Sequence, residues 1–366
     1  MAVEALAPPV MRAIRHAAKM AALQTGRVAS RVHRRLRVER ALPAECDVHV
    51  LFRRPLGLGD LVMLSPFVCA LLRQWRRGRV ALVTDYAPFL DFGPALQWIA
   101  PNRWAPDRTR TLVVSPTYTL HHLAGLARAS DYLGYFLSNV AISSFSAPVQ
   151  AAYEPKTQHY LERALALLRM LGLDDAVNAF PPALEEDLPA SVMLPERYVC
   201  VAPYSNWPER QYPMENFVEA IDALSRALPV VLIGSADPSE SAFVEAIAAR
   251  ISSGQVLDLS SRLNLRQSAR VIRRAQLFIG NDSGPAHLAC TGTPAVLCVY
   301  GCVMPQTRIP LPGSTATKVL ALSAGASCDL FPCYDGYSKP RCRRSLQCLR
   351  GTSPAAVVVA ALGMLN

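Results

Sequence analysis

The sequence predicts an α/β protein made of two doubly wound domains that face each other across a cleft. Three observations predict it. From residue 47 onward short β-rich runs alternate with amphipathic helical runs, the pattern of parallel sheets covered by helices. The alternation breaks over residues 174–196, which hold four prolines and many carboxylates, and then restarts. The 366 residues suit about two domains of ordinary size. With 51% hydrophobic and 18% charged residues the chain can fill large cores, which excludes a disordered or fibrous protein. The expected division is a basic extension over 1–45, a first domain over 46–180, a linker over 181–197 and a second domain over 198–366 that ends in a helix.

Each element follows from local pattern. Residues 47–53 are rich in β-formers and read as a strand. The apolar run over 61–75 is too long for a strand and reads as a helix. Residues 79–84 and 111–115 read as strands, and 86–107, rich in Pro and aromatics, as loops with a short helix. A clean amphipathic helix covers 157–173 and stops near Gly172. In the second half, strands are expected at 198–202, 229–234, 256–258, 276–280 and 295–300, with helices at 214–227, 239–251 and 265–274. The longest apolar runs, such as 355–362, fall short of the ~20 residues that span a bilayer.

Charge is concentrated at one end. Residues 1–45 carry nine Lys or Arg against three Glu, +6 of a formal net charge of +10. Val10, Met11, Ile14, Ala18 and Ala21 interleave with Arg12, Arg15 and Lys19 at helical spacing, so the segment reads either as a basic amphipathic helix for an anionic membrane or as a solvated tail. An organellar presequence has the same composition. No aromatic residues interleave with these charges and no finger or helix-turn-helix pattern follows, so nucleic acid is not the expected partner. The N-terminus lacks the apolar core of a secretory signal, and the ten cysteines are therefore expected as thiols in a reducing cytoplasm.

In doubly wound folds ligands gather where strands end, so residues just past a strand are the candidates. After the fourth strand of the second half stands Asn281-Asp282-Ser283-Gly284-Pro285-Ala286-His287-Leu288-Ala289. Pro285 suits the first turn of a helix, and free N–H groups near Ser283, Gly284 and Ala286 suit a phosphate. His287 can donate to a phosphate oxygen, and Asp282 can accept from a sugar hydroxyl. The alternative is a capped helix with a satisfied histidine. After the first strand of that half, Ser205 and Asn206 offer donors and Arg210 a planar cationic fork. Asp237 is placed either to accept from a ribose diol or to cap the next helix. In the first half, Gly57-Leu58-Gly59-Asp60 follows the first strand. Gly57 and Gly59 permit close approach of a ligand, while Asp60 reads as an N-cap or a general base. Neither a GxGxxG fingerprint nor a P-loop lysine is present, which disfavours a nicotinamide oxidoreductase.

In this order the three motifs resemble the ADP-heptose:lipopolysaccharide heptosyltransferases of glycosyltransferase family 9, enzymes of the GT-B fold with two Rossmann-like domains. The resemblance runs from about Cys46 to the C-terminus, and the Asp-Ser-Gly-Pro-x-His-Leu-Ala run is its most specific part. It implies that Asp60 is the general base, that Gly57 and Gly59 belong to an acceptor-side loop, and that Ser205, Asn206 and Arg210 hold the donor phosphates. Asp237 is implied as a ribose contact, and Asp282, Ser283, Gly284 and His287 as the pyrophosphate turn. Arg210 stands where family members usually carry Lys, and the basic extension lies outside the family core. The implied reaction is inverting transfer of a heptose, or a related sugar, from an ADP-sugar to a glycolipid or glycan acceptor of the lipopolysaccharide-core type. Alternatives are a protein-modifying, autotransporter-type heptosyltransferase and a catalytically silent nucleotide-sugar-binding or scaffold protein. The enzyme is expected in the cytoplasm, with peripheral membrane contact through residues 1–45.

No Asp-x-Asp motif stands beside the donor turn, so cations and backbone dipoles are expected to stabilise the leaving diphosphate without a required cofactor. Cys328, Cys333, Cys342 and Cys348 form a C-x4-C-x8-C-x5-C stretch, looser than a paired knuckle. Some autotransporter heptosyltransferases hold iron through four cysteines, so zinc or iron is one reading. Packed thiols are the preferred one. Cys46, Cys69, Cys200, Cys290, Cys298 and Cys302 read as core.

Overall fold

The structure is a computed structural model that describes residues 41–53, 56–107, 109–117, 131–135, 141–143, 153–176, 180–252, 254–293, 295–311, 318–334 and 340–365. Of the expected basic extension over 1–45, residues 1–40 lie outside the described residues, as do most of the loops between 116 and 146. Two six-stranded sheets carry the chain.

The first sheet contains β1 (Asp47–Phe52), β2 (Val80–Thr84), β3 (Leu96–Ile99), β4 (Thr111–Ser115), β5 (Asp131–Tyr135) and β6 (Ala141–Ser143), in the order β3-β2-β1-β4-β5-β6. Its strands run parallel except the β5–β6 pair. On β1 the side chains of Val48, Val50 and Phe52 share one core with Leu61, Leu64, Phe67 and Leu71 of helix α1 (Leu58–Gln74). Each such residue, fully buried, contributes about 1.5–3 kcal/mol. Helix α2 (Glu162–Met170) packs on α1 and closes this half.

The second sheet contains β7 (Val199–Ala202), β8 (Val230–Leu232), β9 (Val256–Asp258), β10 (Leu277–Asn281), β11 (Ala295–Val299) and β12 (Lys318–Leu322), all parallel, in the order β12-β11-β10-β7-β8-β9. Its helices are α3 (Met214–Ser225), α4 (Pro238–Ala248), α5 (Leu265–Arg274), α6 (Gly284–Ala289), α7 (Gln347–Arg350) and the closing α8 (Pro354–Leu365). In each sheet the strand order reverses beside its first strand, between β1 and β4 and between β7 and β10. Ligands of doubly wound folds bind at these switch points, and all three sequence motifs leave from them.

The linker is laced to both halves. Leu90 bridges to Ala183, Asp91 N–H donates to the Pro182 carbonyl at 2.9 Å, and Leu184 N–H donates to the Phe89 carbonyl at 2.9 Å. Its carboxylates serve the other side, where Asp187 pairs with Arg270 at 2.8 Å and Glu185 with Arg273, both from α5.

Candidate active site

β7 and β10 are neighbours, so the loops that follow them leave side by side. Asn281, fully buried, joins the two. Its side-chain carbonyl accepts from Tyr212 N–H and its amide donates to the Pro203 carbonyl, both at 2.8 Å. Inside the first loop Ser205 N–H donates to Gln211 Oε1 at 3.2 Å, and residues Pro208–Arg210 form one turn of 3-10 helix. That turn sets the Arg210 guanidinium 4.0 Å from the Trp207 ring and puts its Nε 3.2 Å from Asp282 Oδ2. The pair is close but not aligned for a hydrogen bond. Arg210 Nε, Asp282 Oδ2 and Ser283 Oγ are all buried without a hydrogen-bond partner. Such orphans cost free energy unless something arrives to satisfy them.

Asp60 approaches from the first domain. Helix α1 begins at Leu58, three residues earlier than expected, with Gly57 at the N-cap. Asp60 is therefore the third helical residue rather than the cap, and its Oδ2 reaches back to accept from Gly57 N–H at 2.9 Å. Its Oδ1 lies 3.3 Å from Arg308 Nη1. The domains touch next to it. A Cβ on Gly59 would stand 2.9 Å from Gly284 Cα and 2.9 Å from His287 Cδ2, so the absent side chains of Gly59 and Gly284 accommodate each other's backbone. His287 is sealed under this contact, and burial pushes its pKa down to about 3, leaving it neutral. It borders a void of about 10 Å³ shared with Met63, His159, Phe180 and Leu311.

The structure thus gathers Asp60, Gly59, Arg210, Asp282, Ser283, Gly284 and His287. Ser205 is buried behind the first loop, whereas Asn206 is exposed. Asp237 stands apart as the N-cap of α4, accepting from Ser239 N–H at 3.0 Å and Glu240 N–H at 3.2 Å.

Sequence reasoning missed Arg308. It follows a single 3-10 turn (Pro305–Thr307) and is 8% exposed, with its guanidinium 4.1 Å from the Tyr160 ring and 5.6 Å from that of Tyr334. Two bonds to the start of α2 clamp its segment. Tyr160 N–H donates to the Thr307 carbonyl, and a His159 ring nitrogen meets the Ile309 carbonyl, both at 3.0 Å. Burial disfavours the cation, but Tyr334, Asp60, Tyr160 and Asp282 outweigh it and hold the pKa above the ordinary arginine value. An arginine in a loop has no local pattern; the residues that give it meaning lie some 150 and 250 positions away.

The cysteine stretch supports the first loop from behind. Cys342 N–H donates to Glu209 Oε1 at 3.2 Å, and the Tyr334 ring meets Trp207 edge-on at 5.4 Å. Cys342 Sγ accepts from Arg344 N–H at 3.4 Å and Leu346 N–H at 3.2 Å. The Cys348 thiol is pushed up to about 11, mainly by burial and further by Cys328, Cys333 and Cys342. All ten cysteines are free, and among the described residues no three His, Cys, Asp or Glu side chains are arranged to hold a metal ion. Of the six read as core, Cys69 alone is only half-buried. A cavity of about 970 Å³, lined by His49, Arg79, Trp98 and Arg103 among others, lies on the face of the first sheet opposite α1 and touches none of the gathered residues.

The profile of glycosyltransferase family 9 (heptosyltransferase) matches residues 138–329, just over half of the chain. The chain belongs to glycosyltransferase family 9. Lipopolysaccharide heptosyltransferase 3 of Escherichia coli is 24% identical to this family 9 chain over 277 residues, 66% of this chain and 80% of that one. Among solved structures, a family 9 glycosyl transferase from Veillonella parvula aligns with a TM-score of 0.61 at 18% identity, covering 89% of this chain and 99% of its own. E. coli heptosyltransferase WaaC with ADP gives 0.58 at 16%, covering 87% and 99%. The iron-containing dodecameric glycosyltransferase TibC of enterotoxigenic E. coli gives 0.56 at 17%, covering 89% and 77%. The fold is GT-B, and this family 9 chain is a glycosyltransferase.

Proposed function

We propose that the protein transfers a heptose from ADP-heptose, with inversion at the anomeric carbon, to a lipopolysaccharide-core acceptor. The observation that carries this reading is the set of three buried polar atoms at one switch point that make no hydrogen bond, two of them an ion pair not aligned for one. Arg210 Nε and Ser283 Oγ are donors suited to diphosphate oxygens, and Asp282 Oδ2 is an acceptor suited to a sugar hydroxyl. WaaC, similar in fold, binds ADP in its solved structure.

In the transfer Asp60 takes the acceptor hydroxyl's proton as its oxygen attacks the anomeric carbon. The bond from that carbon to the phosphate oxygen breaks, and the electron pair leaves with ADP. Arg210 and Ser283 meet the charge that develops on the diphosphate, with Ser205 and Asn206 on the same loop. Gly57 and Gly59 bring the start of α1 close enough for Asp60 to face the donor turn. His287, neutral and buried, packs the contact between the domains, and Asp237 keeps its second carboxylate oxygen for a ribose contact.

TibC, similar in fold, is an iron-containing glycosyltransferase. The four cysteines here lie within electrostatic range of one another but are not arranged as a ligand set, so no step runs through a metal. We take them as thiols in a stretch that braces the donor loop through the bond from Cys342 N–H to Glu209. The reading is tested by incubating the protein with ADP-heptose and a lipopolysaccharide-core fragment. Transfer is expected, with inverted product and release of ADP; binding of ADP-heptose without transfer to any acceptor would instead favour a silent binding protein.

A further inference from the structure

Both carboxylate oxygens of Asp60 are engaged, Oδ2 by Gly57 N–H and Oδ1 by Arg308. Each oxygen keeps a second lone pair, so what Arg308 takes from Asp60 is the approach to Oδ1, where an acceptor hydroxyl has to come within hydrogen-bond reach for its proton to be taken. The Gly57 bond belongs to the helix start and is fixed by it, whereas Arg308 is held by aromatic faces that let a guanidinium slide in its plane. Arg308 also lies within electrostatic reach of Asp282, on the donor side of the cleft. The Tyr334 ring lies 5.6 Å from both Arg308 and Arg210, so the two guanidinium groups flank one ring beside the donor turn.

Resting on the ADP-sugar reading above, we propose that Arg308 exchanges partners between Asp60 and the donor diphosphate, so that donor arrival frees the Asp60 carboxylate to act as base. In the donor-free state Arg308 neutralises Asp60. With donor bound, the diphosphate's greater negative charge draws the guanidinium across, Oδ1 opens toward the acceptor, and a second arginine joins Arg210 on the leaving group. Arg308 is in this sense a positioning residue for Asp60 as well as a ligand for the donor. The exchange imposes an order: the base is competent only once donor is in place, which protects the acceptor site from unproductive proton transfer.

The test is a double-mutant cycle read by ADP binding, which needs neither acceptor nor turnover. Arg308→Ala is expected to weaken ADP about 10-fold or more, the scale of one charge-assisted hydrogen bond. Asp60→Asn removes the competing partner, so it is expected to tighten ADP by about 3- to 10-fold in the wild-type background and by less than about 2-fold beside Arg308→Ala. If Arg308→Ala does not fold, Arg308→Met fills the aromatic slot without charge and serves in its place. Arg308→Lys is expected to recover part of the affinity. Equal tightening by Asp60→Asn in both backgrounds means simple repulsion between Asp60 and phosphate, and overturns the exchange. So does an Arg308 variant that binds ADP normally. A wild-type protein that does not bind ADP removes the donor reading itself, and the exchange with it.

Discussion

Asp282 is 2% exposed and has Arg210 as its ion-pair partner, so the two must be read together. Arg210→Ala is expected to weaken donor binding by about 1.5–3 kcal/mol through the lost charged hydrogen bond. It also leaves a buried carboxylate unpaired, a change that costs about 3–5 kcal/mol when a buried pair is broken. Adding Asp282→Asn should restore the melting temperature without restoring donor affinity, which calorimetry and ADP titration can separate; recovery of both would mean that Arg210 matters only as a counter-charge. His287 sets a pH dependence. Its folded pKa of about 3 lies below the ordinary 6.5, so between these values the unfolded chain binds a proton that the native chain refuses. Above about 6.5 the residue has no effect, and as pH falls below that, stability is lost at up to about 1.4 kcal/mol per pH unit. Urea unfolding at pH 7 and pH 5 should therefore show a smaller drop for His287→Gln than for the parent, and an equal drop would place the titrating group elsewhere. At this scale the turn after β10 is easy to find in the sequence, because Asp282, Ser283, Gly284 and His287 fall within six residues. The sequence hides Arg308, because nothing local distinguishes a buried arginine from a solvated one. It also leaves Asp60 ambiguous, because a carboxylate at a helix start caps from either the first or the fourth position.

Helices α1 and α6 meet through Gly59 and Gly284, and their close approach is what brings Asp60 beside the turn after β10. The obstruction facing a Cβ on Gly59 includes backbone, which cannot swing aside. Gly59→Ala is expected to part the domains at a cost of about 1–3 kcal/mol, the scale of overpacking. If closure is needed for chemistry, kcat should fall by about 5- to 150-fold, with a smaller loss of donor affinity, because the new methyl presses on Gly284 and His287 but leaves Arg210 and its loop in place. Small-angle scattering and single-turnover rates would check this, and an unchanged kcat would mean that the contact is not part of the reactive state. Most elements were legible. Residues 265–274 carry a capping box, in which Asn264 and Gln267 bond reciprocally, and the helix falls where the pattern puts it. β3, β5, β6 and β12 were not. β3 is four residues inside an aromatic, Pro-rich stretch. β5 contains Gly134 at a φ of +154°, where a Cβ would run into the Ser115 carbonyl, and a glycine there reads locally as a break. α1 starts early because the two glycines that read as turn are in fact cap and first turn, and α2 ends up shorter than its pattern because residues 157–161 are used to clamp Thr307 and Ile309.

The whole molecule divides into a GT-B body, whose two sheets present their switch points to each other, and a basic segment that precedes it. The division at the N-terminal end is sharper than composition alone indicates. Leu42 and Pro43 carbonyls accept from Arg77, and Glu45 pairs with Arg110, so residues 42–45 are bonded to the first domain. A truncation that spares the fold should therefore remove residues 1–40 only. Those residues carry nine of the basic side chains against two glutamates, and they interleave apolar positions with charge. On a membrane, attraction of each well-placed cation to anionic lipid would be worth about 1 kcal/mol, and shallow insertion of Val10, Met11, Ile14 and Ala18 would add to it. Among the described residues no helix is long and apolar enough to cross a membrane. Vesicle co-sedimentation is the direct measurement. The full chain is expected to bind phosphatidylglycerol-rich vesicles at low salt, to lose binding as the Debye length shrinks from about 10 Å at 0.1 M toward about 3 Å at 1 M, and to ignore neutral vesicles. The truncated chain should bind neither, yet transfer to a soluble acceptor fragment at the parent rate, because Asp60, Arg210 and Arg308 all lie in the body. Vesicle binding that survives the truncation would move the lipid-facing surface onto the first domain, where Arg53, Arg79 and Arg103 line the open face of its sheet.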